Sequence, residues 1–95
     1  MRKAYLFVYS DNLGTRDEVK NCMDNIPEVY TWRYDMPNSF YIISEYSADE
    51  IARAINSYTG KTRFIVSEIT DNKQGWLSED TWYLINNKTH KPKEE

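Results

Sequence analysis

Apolar positions alternate with polar ones in four stretches and recur at helical spacing in three. The longest apolar run is Lys3-Ala4-Tyr5-Leu6-Phe7-Val8-Tyr9-Ser10-Asp11. Read as a strand, it puts Leu6 and Val8 on one face and Tyr5, Phe7 and Tyr9 on the other. A strand apolar on both faces is covered on both, so this one is predicted to be central in its sheet. It ends in the turn cluster Ser10-Asp11-Asn12-Leu13-Gly14. Thr15 then opens a helix as an N-cap, with Glu18 completing a capping box. Val19, Cys22, Met23 and Ile26 form the apolar stripe of that helix, and Pro27 ends it.

The next alternating stretch is Val29–Tyr34, followed by the turn Asp35-Met36-Pro37-Asn38 and a second strand apolar on both faces, Ser39–Ser44. Ser47 and Glu50 make a second capping box. Ile51, Ala54, Ile55 and Tyr58 continue that helix up to Gly60, a suitable residue to end it. Counted from each cap, the apolar positions of the two helices are the same: +4, +7, +8 and +11. Two similar strand–helix–strand halves are implied. A fourth strand is predicted over Thr62–Ile69, then a polar loop, then a short third helix capped by Ser78 with Trp82 and Ile85 on its apolar edge.

The order βαββαβ with a C-terminal appendage predicts an α+β ferredoxin-like sandwich with sheet order 4-1-3-2. Strands one and three are central in that order, and they are the two that read as buried on both faces. Residues 1–86 form the domain with its helical appendage, and the polar, aperiodic residues 87–95 are expected to be a disordered tail. Val19, Met23, Ile51 and Ile55 offer aliphatic partners, so Leu6 and Val8 are expected to face the helices. Tyr5, Phe7 and Tyr9 are then expected on the opposite face, as an aromatic binding surface. Three occupants suit it: the Trp76–Ile85 segment, a second copy in a two-fold dimer, or stacked single-stranded nucleic acid.

Composition narrows these choices. Hydrophobic content is 40%, charged 28%, aromatic 15%, and the net charge is −3. That acidic balance disfavours coating of nucleic acid or a basic membrane contact. The single Cys excludes an internal disulfide and fits a reducing compartment. No run reaches the ~20 apolar residues of a membrane span and nothing reads as a secretory leader, so a cytoplasmic protein is expected.

Among candidate chemical groups, Asp11 leads. With strand one taken as parallel to strand three, its end falls near Glu45, and also near Lys61 and Arg63. Asp11 and Glu45 are then placed to share Mg²⁺, which needs one or two carboxylates plus substrate phosphates. The plainer reading is a turn cap or a pair with Lys61 or Arg63. Trp32, Arg33 and Tyr34, on a predicted edge strand, suit a base or a peptide strand, or simply protect the edge. Trp76 and Trp82 read first as anchors of the terminal segment and second as contact residues. Cys22 reads as a buried hydrophobe, and His90 lacks metal-ligand companions.

The central strand ending in a turn with Asp, the two βαβ halves, Gln74-Gly75-Trp76-Leu77, Thr81-Trp82-Tyr83-Leu84-Ile85-Asn86 and the helix start Ser47-Ala48-Asp49-Glu50-Ile51 together resemble small bacterial and phage proteins of the SinR-like group. These are similar to the CRISPR-associated small ferredoxin-like nucleases, and the RNA-cleaving GhoS-type antitoxin resembles the same architecture. The resemblance spans roughly Ala4 to Asn86. It implies a homodimer. It also implies, for the nuclease relatives, an Asp directly after the aromatic residue ending strand one, one per subunit, holding a metal. Here Ser10 occupies that place and Asp11 follows it. The expected function is a small non-enzymatic interaction module: a homodimer binding a protein or RNA partner in a phage or bacterial defence setting, without cofactor. The alternative is a Mg²⁺-dependent nuclease with Asp11, and Glu45 beside it, at the metal.

Overall fold

A computed structural model describes residues 1–61 and 63–93. The predicted start of the fourth strand at Thr62 and the last two residues of the expected tail, Glu94 and Glu95, lie outside the described residues. In chain order the elements are strand β1 (Lys3–Tyr9), a 3-10 turn (Asp11–Leu13), helix α1 (Arg16–Asn25), β2 (Thr31–Arg33), β3 (Ser39–Ser44), α2 (Ala48–Thr59), β4 (Phe64–Ile69) and α3 (Glu79–Asn87). The strands form one antiparallel sheet in the order β2-β3-β1-β4, which counted from the β4 rim is 4-1-3-2. Helices α1 and α2 pack on one face and α3 on the other. This α+β architecture is consistent with the ferredoxin-like arrangement.

Local chemistry sets the helix ends. At both Thr15 and Ser47 the hydroxyl accepts from the backbone N–H three residues on, while the Glu18 or Glu50 carboxylate accepts from the cap's own N–H. Such a cap contributes about 1 kcal/mol. Ile26 leaves the helix in an extended conformation ahead of Pro27, and Gly60 ends α2 in the left-handed region at φ 69°. Strand β2 is shorter than the pattern predicted. The Val29 N–H is taken by a turn back to the Ile26 carbonyl at 3.3 Å, so the ladder begins only at Tyr30, whose N–H reaches the Ile43 carbonyl at 2.8 Å.

The faces of β1 are the reverse of the expectation. Tyr5, Phe7 and Tyr9 point under α1 and α2, with exposures of 1%, 0% and 5%. They pack with Val19, Met23, Ile51 and Ile55 and form no surface for a partner. Cross-strand pairing fixes this choice. Phe7 lies opposite Phe40 and Val66, and Tyr9 opposite Phe64, so the bulky side chains of three strands share one layer. Rings fill the gap between sheet and helices that short aliphatic side chains from both sides would leave open. Phe7 meets the Phe64 ring edge-on at 5.6 Å and the Tyr9 ring at 5.2 Å.

On the opposite face, Leu84 and Ile85 of α3 bury Ala4, Tyr41 and Ile43. Cover stops half-way across: Val8 and Ile65 are 40% and 61% exposed. The two rims of the sheet also differ. β2 is three residues long, and the Thr31 hydroxyl is bonded to His90 Nε2 at 2.7 Å. β4 runs for six residues and pairs with β1 alone among the described residues. Residues 88–93 make surface contacts with the domain. Lys91 Nζ reaches Glu79 at 2.8 Å, and Arg2 donates to the Lys88 carbonyl at 3.4 Å. No helix among the described residues is long and apolar enough to cross a membrane.

Candidate functional site

The position of α3 is set by a polar cluster at its N-terminus. Ser78 caps the helix by accepting from the Thr81 N–H. Arg33 Nε donates to Thr81 Oγ1 at 2.7 Å, and Thr81 Oγ1 donates to Asp35 Oδ2 at 2.5 Å. Ser78 Oγ donates to the same carboxylate oxygen at 3.2 Å. Thr81 is fully buried, so its hydroxyl needs both partners. The Thr81 hydroxyl, then Ser78 and the Arg33 charge, hold the Asp35 carboxyl below the usual carboxylate range, against the opposing effect of partial burial. The turn between β2 and β3 thus clamps α3 over the β2–β3 half of the sheet.

Beside α3 this face forms a groove of about 470 Å³, with Val8 and Ile65 outside its lining. Leu6, Tyr41 and Ile69 make its floor, Trp82 and Ile85 one wall, and the 70–77 segment the other. Trp76 stands on that segment at 92% exposure. Burial, and secondarily Asp35, push the Tyr41 phenol up, so it stays neutral. Lys73 is the charged side chain of the lining; Glu68 borders it by its backbone, since its side chain stands opposite Tyr5 on the other face. The floor is apolar, the outer wall carries Thr70, Asn72, Lys73 and Gln74, and the volume falls within the about 300–1,000 Å³ of binding clefts. The lining holds no histidine or cysteine, and its one acidic residue, Glu68, carries its carboxylate on the other face, so the groove has no acid–base pair.

The other candidates separate. β1 is antiparallel to β3, not parallel as expected, with Lys3 opposite Ser44 and Val8 opposite Ser39. Glu45 therefore lies past the start of β1 and Asp11 past its end. Across a strand of seven residues at roughly 3.3 Å each, the two carboxylates are about 25 Å apart and cannot share an ion. Asp11 instead accepts from the Asn38 amide at 2.6 Å, and Glu45 lies 3.9 Å from the N-terminal amine. The described residues contain no group of three or more His, Cys, Asp or Glu placed for a metal.

Trp32, Arg33 and Tyr34 are not one surface either, because successive side chains of a strand face opposite ways. Trp32 and Tyr34 pack on Phe40 at 5.2 and 5.8 Å on the α1–α2 side, while Arg33 anchors α3 on the other. The Trp32 indole N–H donates to Asp24 at 2.7 Å. Trp82 packs half-buried against the second core as an anchor; Trp76 does not. The groove itself was missed in the sequence. Its signal was the pair Leu6 and Ile69, apolar strand positions that only a nine-residue helix was available to cover.

No family model, curated protein or solved structure matches the chain.

Proposed function

We propose that this ferredoxin-like domain is a non-enzymatic interaction module, and that the groove between α3 and β4 receives an apolar segment of a polypeptide partner. One observation carries the reading: α3 is clamped where it leaves half of an apolar sheet face open, with an indole at the mouth of the resulting groove. Tryptophan is enriched among the anchors that dominate binding, and Trp76 can become one when a partner in the groove desolvates it. The acidic balance of the chain favours a neutral or basic peptide over nucleic acid.

Panning a displayed peptide library against the folded protein tests this. Enriched peptides carry large apolar side chains, and Trp76→Ala weakens them by about 1–2 kcal/mol or more. Equal binding to wild type and Trp76→Ala, or failure to enrich any peptide, sinks the reading. Within the same proposal, partners from a phage or bacterial defence setting are the first to try, as the SinR-like resemblance suggests. The nuclease alternative asks for Mg²⁺-dependent RNA cleavage that Asp11→Ala abolishes.

A further inference from the structure

The two walls of the groove differ in chemistry. Trp82 and Ile85 make the wall on α3 apolar, while Thr70, Asn72, Lys73 and Gln74 bring polar groups to the outer one. Lys73 is partly buried there. The ion pairs among the described residues join the N-terminal amine to Glu45, Arg53 to Asp49 and Lys91 to Glu79, and leave Lys73 out. Gln74 uses its side-chain oxygen on the Gly75 N–H at 2.8 Å, which leaves its amide nitrogen to donate elsewhere. A cation drawn partly out of water with no anion beside it is a charge that a ligand can complement.

The walls are also consecutive in the chain. Residues 70–77 lead straight into α3 through its cap Ser78, and Leu77 packs onto the second core with Leu6 and Trp82. The two walls therefore meet at Leu77–Ser78, and the groove is a wedge closed at that end. A segment threading through would find no exit there, whereas a chain end needs none.

We infer, on the interaction-module reading, that the groove takes the C-terminus of its polypeptide partner, with an apolar last side chain on the floor and the terminal carboxylate on Lys73. Charge complementarity selects this occupant. Lys73 is the charged side chain of the lining, and the Glu68 carboxylate stands opposite Tyr5 on the other side of the sheet. A terminal carboxylate carries its two acceptor oxygens beside the same α-carbon that bears the apolar side chain, so one residue satisfies floor and outer wall together. An N-terminal amine would set a like charge against Lys73. The net charge of −3 disfavours a partner rich in acids, so a single carboxylate, met locally, is what the groove admits.

The probes are two pools of short N-acetylated peptides of random sequence, one ending in a free carboxylate and the other in an amide. Both are selected on the full chain, and the enriched sequences are then made in both forms. The free-acid pool is expected to enrich apolar last residues, and amidation to weaken them about tenfold. Lys73→Gln removes the difference between acid and amide, and Lys73→Arg keeps it. Equal binding of the two forms overturns the inference, as does a Lys73→Gln variant that weakens both alike; either result leaves the groove reading standing so long as Trp76→Ala still weakens binding. Enrichment from neither pool, or binding indifferent to Trp76→Ala, overturns both.

Discussion

Ser10 sits where β1 ends, with its hydroxyl oxygen buried and without a hydrogen-bond partner among the described residues. Leaving such a group unpaired costs about 1–3 kcal/mol. Replacing Ser10 by Ala is therefore expected to raise the unfolding free energy in urea by about 0.5–1 kcal/mol, and a loss of stability would show that the hydroxyl has a partner in solution. Cys22 makes a second case. Burial pushes its thiol up to about 11, so the thiolate is nearly absent at neutral pH. Labelling by a disulfide reagent at pH 8 should proceed only as fast as the protein opens, and labelling at the rate of a free thiol would contradict that burial. At this scale the sequence was informative where a residue acts on its neighbours: Thr15, Ser47 and Ser78 cap as their spacing indicates. It was silent where partners are remote. Nothing local to Arg33 points to Thr81.

Helix α3 is the element whose place depends most on a few polar contacts. Thr81→Val keeps the shape but leaves Arg33 Nε and Asp35 without their buried partner, so a loss of about 1–3 kcal/mol is expected on thermal unfolding. Asp35 also makes this attachment acid-sensitive. Its folded carboxyl titrates below the ordinary value, so its contribution is complete above the unfolded carboxylate pKa of about 4 and disappears as the pH falls through the lower, folded value. Hydrogen exchange of the α3 amides should accelerate in that acid window. Asp35→Asn should flatten the dependence; a wild-type profile unchanged by this substitution would remove Asp35 as its cause. The sequence located α3, its cap and its apolar edge. It also identified β1 as apolar on both faces, but a period of two says that faces exist, not which one meets the helices. Only the register opposite Phe40 and Phe64 decides that.

For the molecule as a whole, the element order and the two central strands were legible because helix caps and alternation are local signals that agree with one another. The proposed carboxylate pair was not a matter of residue type. It depended on the relative direction of β1 and β3, and the antiparallel pairing puts Asp11 and Glu45 at opposite ends of the sheet. No shared ion is therefore expected: adding Mg²⁺ should leave the backbone amide resonances beside Asp11 and Glu45 in place by NMR, whereas a shared ion would move both sets together. The groove was hidden for a related reason, since its extent depends on how far α3 reaches across the second face.

The unequal rims of the sheet bear on how far association through strands can go. At the β2 rim the ladder is only three residues long, and His90 occupies the Thr31 hydroxyl, so an incoming strand finds little to template on. For strand addition the molecule has a valence of one. A chain with long bare strands at both sides of its sheet would be a monomer unit for fibres; this one has a long rim strand at one side only.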